Sequence, residues 1–128
     1  MIIFRRLAMF VKDVNSYEEK VVLDNTNLRE LLNPGLGDFQ IRYSLAQARV
    51  SPGETSYKHK LSSSEVYFIL SGTGRMYIDD EVEDVHGGSI IYIPPNSVQC
   101  IQNIGNDDLV FLCIVDPAWN KENDVLVD

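Results

Sequence analysis

Short apolar stretches separated by turn-forming residues recur along the whole chain and predict β-strands. Several of them alternate between apolar and polar positions, which places successive side chains on opposite faces of a strand. Turn segments such as SPGE, SGTG, HGG, PPNS and GNDD lie between them. Many short strands at close spacing are typical of an antiparallel sandwich or barrel. The predicted strands span residues 2–11, 39–50, 57–60, 65–71, 74–79, 89–93, 98–103 and 109–115.

The strand predicted over 65–71 is largely apolar on both faces. Its two faces are Glu65, Tyr67 and Ile69 on one side and Val66, Phe68 and Leu70 on the other. A strand of this kind is buried on both sides, as it would be inside a sandwich or at a dimer interface.

One segment carries the pattern of a helix. In NTNLRELLNPG, Asn27 can cap a helix, Glu30 follows three residues later, and three leucines supply an apolar face. Pro34 and the following glycine would end it. A second short turn is expected after Pro117. The prediction is therefore an all-β protein with one or two short helices.

Length and charge limit the class of protein. The chain has 128 residues, a hydrophobic fraction of 45% and a formal net charge of -8. We expect one domain over 1–128, with a core barrel over about 39–116 and an N-terminal strand and short helix over 1–38. The negative charge argues against a nucleic-acid partner, and no apolar run is long enough to span a membrane. The acidic run DDEVED, residues 79–84, predicts a solvated hairpin tip.

The N-terminal stretch MIIFRRLAMFVKDV contains arginines and no small-residue cleavage site. We interpret it as a strand and not as a signal peptide, and we expect a cytoplasmic location.

The first of two spaced motifs surrounds a histidine. Gly53 is followed by five residues and His59, Leu61 stands two positions further on, and Glu65 and Gly72 follow after three and six intervening residues. This spacing resembles the first motif of the cupin family, in which a second histidine stands at the position of Leu61. The two glycines are expected to close turns where a positive φ is needed.

The second motif resembles the second cupin motif in the same way. Gly88 is followed by five residues and Pro94, after which Asn96 replaces a glycine, Gln99 replaces a histidine and Asn103 matches. The resemblance implies a double-stranded β-helix, the cupin or jelly-roll barrel. Members of that family have many activities, so the fold alone does not name a reaction.

The resemblance also implies where a metal would lie. The positions that could still coordinate are His59, Glu65 and Gln99, and Leu61 cannot. Two alternatives stay open: one weakly bound divalent metal (Zn, Ni, Mn or Fe), or no metal and a buried polar network in which these side chains bond one another. Without a metal, burial would raise the pKa of Glu65, which could then act as a general base.

Other polar residues could line the barrel. Tyr57 and Tyr67 share strand faces with the motif residues, and Arg42, Arg49 or Arg75 could point inward and hold an anionic group. Alternatively, the tyrosines fill the core and the arginines pair with surface carboxylates. The expected cavity residues are Tyr57, Tyr67, Arg42 and Arg75.

The two cysteines can be placed if GNDD is a hairpin loop. Ile104 would then pair with Leu109, and Cys100 would face Cys113 on the side of the strands opposite Gln99. Two reduced, buried thiols are the favoured interpretation, and a cross-strand disulfide is the alternative.

Taken together, these patterns favour a cupin that binds a small polar ligand, either a sugar, a sugar phosphate or a small carboxylate. The alternatives are a metal-dependent enzyme similar to sugar-phosphate isomerase-like or oxygenase cupins, and an accessory module that acts through a partner. The resemblance, because small cupins commonly dimerise by packing sheets, and the excess of apolar strand faces together predict a homodimer.

Overall fold

The structure, a computed structural model, describes residues 9–128 and is built of antiparallel strands. Its regular helical structure consists of three single 3-10 turns, Val14–Ser16, Pro34–Leu36 and Lys121–Asn123. The strands are β1 (Lys20–Val21), β2 (Asn27–Leu32), β3 (Ser44–Val50), β4 (His59–Leu61), β5 (Ser64–Ser71), β6 (Thr73–Ile78), β7 (Glu81–His86), β8 (Ile90–Ile93), β9 (Gln99–Asn103), β10 (Leu109–Asp116) and β11 (Asp124–Leu126).

The strands form two sheets with the core between them. One sheet has the order β1-β2-β3-β10-β5-β8 and the other β11-β4-β9-β6-β7. Ile69, Ile93, Ile101, Leu109 and Phe111 are almost completely buried between the sheets. Consecutive strands lie in different sheets at several points, so hydrophobic burial between layers, and not local hairpins alone, fixes the arrangement. The predicted all-β fold is confirmed.

The helix predicted over 27–35 is wrong. Asn27–Leu32 forms β2, which pairs with β3 and places Glu30 opposite Ala46. The apolar spacing suited a helix, but the ladder of sheet hydrogen bonds and the packing of Leu28 against the core favour the extended form. Only Pro34–Leu36 is helical, as a 3-10 turn whose Gly35 N–H is accepted by the Asn33 side chain.

The acidic run over 79–84 is only partly a hairpin tip. Asp79 and Asp80 form the turn between β6 and β7, and Asp79 has a positive φ of 51°. The rest of the run belongs to β7, an edge strand with exposed acidic side chains. Charged side chains on an edge strand discourage pairing with another chain.

The motif glycine Gly72 shows why that position excludes other residues. Its φ is +93°, and a Cβ atom there would lie 2.7 Å from the carbonyl oxygen of Asp108. Gly53 also has a positive φ, of 79°. The expectation for both turns is confirmed.

The predicted pairing of the cysteines is wrong. Residues 104–108 connect two different sheets, so Cys100 in β9 lies opposite Tyr77, and Cys113 in β10 lies opposite Ala46 and Tyr67. Both thiols are buried and they are not bonded to each other. Cys113 also lines the internal cavity, whereas both cysteines were expected to point away from the interior of the barrel.

Strand β5 is buried on one face only. Glu65, Tyr67 and Ile69 point into the protein, whereas Phe68 and Leu70 are partly exposed. The neighbouring edge strand β8 exposes 71% of Ile90 and 61% of Tyr92 on the same outer face. This apolar outer face is available to a second copy, and the homodimer stays a prediction.

The strand predicted over 2–11 lies outside the described residues except for 9–11, which form no strand. Within residues 9–128, no helix has the length and apolar character needed to cross a membrane. The cytoplasmic location stays a prediction.

Candidate functional site

A cavity of about 860 Å³ is lined by strands of the six-stranded sheet, by β4, and by the chain segments before residue 40 and after residue 118. Its apolar wall includes Ala46, Ala48, Leu61, Phe111 and Val115. Its polar groups include Asp24, Glu30, His59, Glu65 and Asp124. An apolar cavity with a few converging polar side chains is the usual form of a small-ligand site.

His59 is held in this wall by two carboxylates. It is only 4% exposed. Its Nδ1 lies 2.9 Å from Oδ1 of Asp124, and its Nε2 lies 3.3 Å from Oδ2 of Asp24. Burial by itself would lower the pKa of His59, but the hydrogen bond to Asp124 and the charges of Asp24, Asp124 and Glu65 outweigh it and raise that pKa.

Asp124 is fixed from its other side. It begins β11, which pairs with β4 and so places Asp124 opposite Leu61, close to His59. Trp119 donates its indole N–H to Asp124 Oδ2 over 2.9 Å. One oxygen of the Asp124 carboxylate therefore bonds the imidazole of His59 and the other bonds the indole of Trp119. These two bonds restrict the positions of both the carboxylate and His59.

Asp24 reaches the cavity from a tight turn between β1 and β2. Its Oδ1 accepts hydrogen bonds from the backbone N–H of Thr26 (3.1 Å) and from the Thr26 hydroxyl (2.7 Å). Asn25 takes the positive φ of 67° that the turn requires. The backbone N–H of Tyr57 donates to the carbonyl of Asp24 over 2.7 Å and ties the turn to the barrel.

A second buried network joins Glu65, Gln99 and Tyr67. Gln99 donates from Nε2 to Glu65 Oε1 over 2.9 Å, and its Oε1 accepts from the Tyr67 hydroxyl over 2.9 Å. Burial raises the pKa of Glu65 to about 7, although the hydrogen bond from Gln99 opposes this shift. The alternative of a buried polar network predicted the bond between Glu65 and Gln99. It did not include Asp24 and Asp124, the two residues that face His59.

These side chains do not fit the metal set expected from the resemblance. The amide oxygen of Gln99 is used by Tyr67, and each ring nitrogen of His59 faces a carboxylate. Leu61 is buried in the cavity wall. Within residues 9–128, no group of three or more His, Cys, Asp or Glu side chains is placed to hold a metal ion.

Of the expected cavity residues, only Tyr67 lines the cavity. Tyr57 is 53% exposed, because β4 begins at His59 and the strand alternation does not extend back to Tyr57. Arg42 is exposed and lies 3.5 Å from Asp116, and Arg75 pairs with Asp84 at 2.7 Å on the outer surface. The cavity assignments of Tyr57, Arg42 and Arg75 are therefore wrong.

Arg49 also pairs with a carboxylate, Glu19, at 2.7 Å. The alternative in which the arginines pair with carboxylates describes all three of them.

Sequence reasoning missed Asp24, Glu30 and Asp124. Glu30 was assigned to a helix, and Asp124 lies far from both motifs. Asp24 alone had a local signal, because Asp-Asn-Thr is a sequence typical of an Asx turn.

Two buried polar atoms in the described residues lack a hydrogen-bond partner within the protein, and both belong to side chains that line this cavity. They are Oε1 of Glu30 and Nε2 of His59. Burial also raises the pKa of Glu30. Unsatisfied buried polar atoms are rare in native proteins, so their occurrence in one cavity is informative.

Lysines line the cavity at exposed positions. Three of the five lysines of the chain, Lys12, Lys20 and Lys121, line it and are exposed to solvent. The buried polar wall is therefore acidic, whereas the exposed part carries both signs of charge, because Glu18 and Glu122 also line it and are exposed.

Comparisons with known proteins agree with this architecture. The family model described as "Cupin domain" matches residues 46–115. An uncharacterized protein of Methanocaldococcus jannaschii, MJ1618, is 38% identical over 109 residues, which cover 84% of this chain and 86% of that protein. A mannose-1-phosphate guanylyltransferase of Salmonella montevideo is 29% identical over 91% of this chain, but this chain spans only 26% of its length.

Among solved structures, the polyketide cyclase RemF of Streptomyces resistomycificus matches with a TM-score of 0.79 and 19% identity, over 94% of this chain and 86% of that one. At this identity the match concerns the fold alone, and it confirms the double-stranded β-helix. Because the family model covers more than half of the chain and the two-sheet barrel has the expected form, the chain belongs to the cupin domain family.

Proposed function

We propose that this cupin binds a small hydroxyl-rich ligand, a sugar or sugar phosphate, in the barrel cavity without a metal ion. The observation that supports it is the pair of unsatisfied buried atoms, Glu30 Oε1 and His59 Nε2, in one cavity. A ligand hydroxyl can accept from a ring N–H and donate to a carboxylate, so one polyol could satisfy both atoms.

The charges in the buried wall favour hydroxyls over an anionic group. Asp24, Glu65 and Asp124 act on the one histidine that lines the cavity, His59, and Glu30 lines the same cavity. A ligand carboxylate placed there would be repelled and would have to give up its hydration. We therefore place neutral hydroxyls at this end of the cavity.

An anionic group on the same ligand would be accommodated at the exposed part of the cavity. Lys12, Lys20 and Lys121 line that part together with Glu18 and Glu122. The support comes from the individual lysine ammonium groups, which are common phosphate partners, and not from a net positive charge. The name of the guanylyltransferase relative contains a sugar phosphate, mannose 1-phosphate, which is consistent with this class of ligand.

Calorimetric titration of the full chain with hexoses, hexose phosphates and oxalate tests the proposal. We expect a hexose or hexose phosphate to bind with one-to-one stoichiometry and oxalate to bind more weakly. Binding of oxalate in preference to every sugar, or no binding of any compound at millimolar concentration, would contradict it.

A variant separates ligand binding from folding. Glu30→Leu removes a buried carboxyl oxygen that has no protein partner, so the protein should become more stable while ligand affinity falls at least about tenfold. The exposed Glu83→Gln is the matched control and should change neither property. A destabilised Glu30→Leu, or unchanged affinity, would contradict a ligand-binding role for Glu30.

Metal analysis tests the metal-free part of the proposal. Protein purified without an affinity tag should contain less than about a tenth of an equivalent of Zn, Ni, Mn or Fe, and reconstitution should not raise ligand affinity. A stoichiometric metal that increases ligand affinity would instead favour the metal-dependent alternative.

A second candidate function is proton-transfer catalysis on the bound ligand. The buried carboxyl of Glu65 faces the cavity, and its pKa of about 7 suits a general base at neutral pH. Turnover of a bound sugar that is lost in Glu65→Gln, while ligand affinity is retained, would support this candidate.

A further inference from the structure

We propose that Asp124 and Asp24 are positioning residues that hold His59 as a cationic hydrogen-bond donor to the ligand, in place of the metal-ligating role that the family motif implies. The role as donor rests on the proposed ligand-binding function. The carboxylate clamp itself, defined as Asp24, His59 and Asp124, can be tested without a ligand.

Asp124 fixes the Nδ1 side of the His59 ring. The partner of Nδ1, Asp124 Oδ1, is 2.9 Å away, and the second oxygen of the same carboxylate accepts from Trp119. A carboxylate in this position accepts a hydrogen bond from a protonated Nδ1 and fixes the plane of the ring. Nε2 is then the atom that can reach a ligand.

The opposite side of the His59 ring, at Nε2, lies near the other carboxylate of the clamp. Nε2 faces Asp24 Oδ2 at 3.3 Å but makes no hydrogen bond with it or with any other protein atom of the described residues. An unprotonated Nε2 would place its lone pair opposite a carboxylate oxygen, which is repulsive. A proton on Nε2 removes this repulsion, and a ligand oxygen can then accept from the N–H.

The charged groups around His59 also favour the protonated, cationic ring. Asp124 comes from β11, Asp24 from the turn before β2 and Glu65 from β5, while the neighbouring β9 contributes the neutral Gln99. Glu30 lines the same cavity from β2. A cationic ring is stabilised by this acidic surrounding, whereas a metal ion would have to displace the Nε2 proton.

Both clamp carboxylates lie outside the segment that carries the family match. Asp24 precedes residue 46 and Asp124 follows residue 115. The barrel motif supplies His59, and the flanking segments of this chain supply the two groups that restrict it. The clamp is therefore an addition to the barrel segment that matches the family model and not part of its motif.

Nitrogen NMR of histidine-labelled protein tests the clamp, with His86 as an internal reference. The chain has two histidines, and His86 is the exposed last residue of β7. In ligand-free protein, both ring nitrogens of His59 should give protonated-type signals up to a higher pH than those of His86. Asp124→Asn and Asp24→Asn should each lower the titration midpoint of His59 and leave that of His86 unchanged.

Three results would overturn the clamp. They are a His59 ring that is neutral where His86 is charged, a His59 midpoint that is unchanged in both variants, and stoichiometric Zn²⁺ binding that shifts the His59 ring nitrogens. The wild-type measurement does not depend on whether a variant folds, and Asp80→Asn in the exposed hairpin turn is the matched control.

Failure of the clamp and failure of the proposed function are distinguishable. If the NMR result is as expected but no sugar or sugar phosphate binds, the clamp stands and the ligand proposal is wrong. If a sugar binds while His59 is neutral, the ligand proposal stands and the clamp is wrong. When both are correct, the added hexose or hexose phosphate should shift the His59 Nε2 signal and leave the His86 signals in place.

Discussion

The imidazole of His59 and the carboxylate of Asp124 are joined by a 2.9 Å hydrogen bond that links β4 to β11. It is buried, and Trp119 holds the second oxygen of the carboxylate. This bond connects the last strand of the chain to the cavity wall, so it contributes both to stability and to the orientation of the ring.

Asp124→Asn should destabilise the protein by about 1–3 kcal/mol near pH 6, because a buried bond to a charged group is weakened. The pKa of His59 is raised in the folded state, so the stability from this pair is fully present below the unfolded pKa of 6.5 and is lost as pH rises through the folded pKa. Urea unfolding should therefore show a larger difference near pH 6 than near pH 9. An equal difference at both pH values would contradict the charged pair.

Glu65→Gln should remove a pH dependence of stability. The pKa of Glu65 is raised from 4.5 to about 7, so the folded state binds the proton more tightly and wild-type stability falls as pH rises from about 4.5 to about 7. The variant should gain up to about 3 kcal/mol relative to wild type between pH 5 and pH 8. Chemical unfolding at both pH values checks this, with the exposed Glu83→Gln as control.

Tyr67→Phe should destabilise the protein by about 1–3 kcal/mol, because the buried Oε1 of Gln99 loses its donor. Tyr77→Phe is a matched control, since the Tyr77 hydroxyl donates to Gln102 in a part-buried pair at 3.2 Å, where water can replace it. Its loss should cost less than about 1 kcal/mol. An equal decrease in the free energy of unfolding for both variants, measured by urea unfolding, would mean that burial does not strengthen the contribution of the Tyr67–Gln99 bond.

Ile90→Lys should shift a homodimer towards monomer. Ile90 lies on the exposed apolar face formed by β5 and β8, where a buried lysine would lose its hydration. Sedimentation or light scattering over a range of concentrations measures the change. Val82→Lys, on the exposed face of β7, is the control and should leave the mass unchanged. A monomeric wild-type protein would show that the homodimer prediction is wrong.

The sequence by itself determined the barrel and the motif positions within it. Strand alternation, Gly53 and Gly72 at positive φ, and the spacing around His59 and Glu65 are local properties, because they depend on backbone geometry and on which face is apolar. The Glu65–Gln99 hydrogen bond belongs to one of the two alternatives that the motifs left open, although it joins distant residues.

Other features depended on which strands become neighbours. The segment that begins at Asn27 had the spacing of a helix, but pairing with β3 made it a strand and turned Glu30 towards the cavity. The cysteines were misplaced because the loop between their strands connects two sheets, which the residues of the loop do not reveal.

Only the tertiary structure decided how His59 is used. Its partner Asp124 is 65 residues away in the chain, and Asp24 comes from a turn on the other side of the motif. Hydrogen bonds between such distant residues depend on how the flanking segments dock on the barrel, and no local pattern specifies that docking. The sequence therefore determined that a histidine and a glutamate face one cavity, and the docking of the flanking segments placed two carboxylates against that histidine.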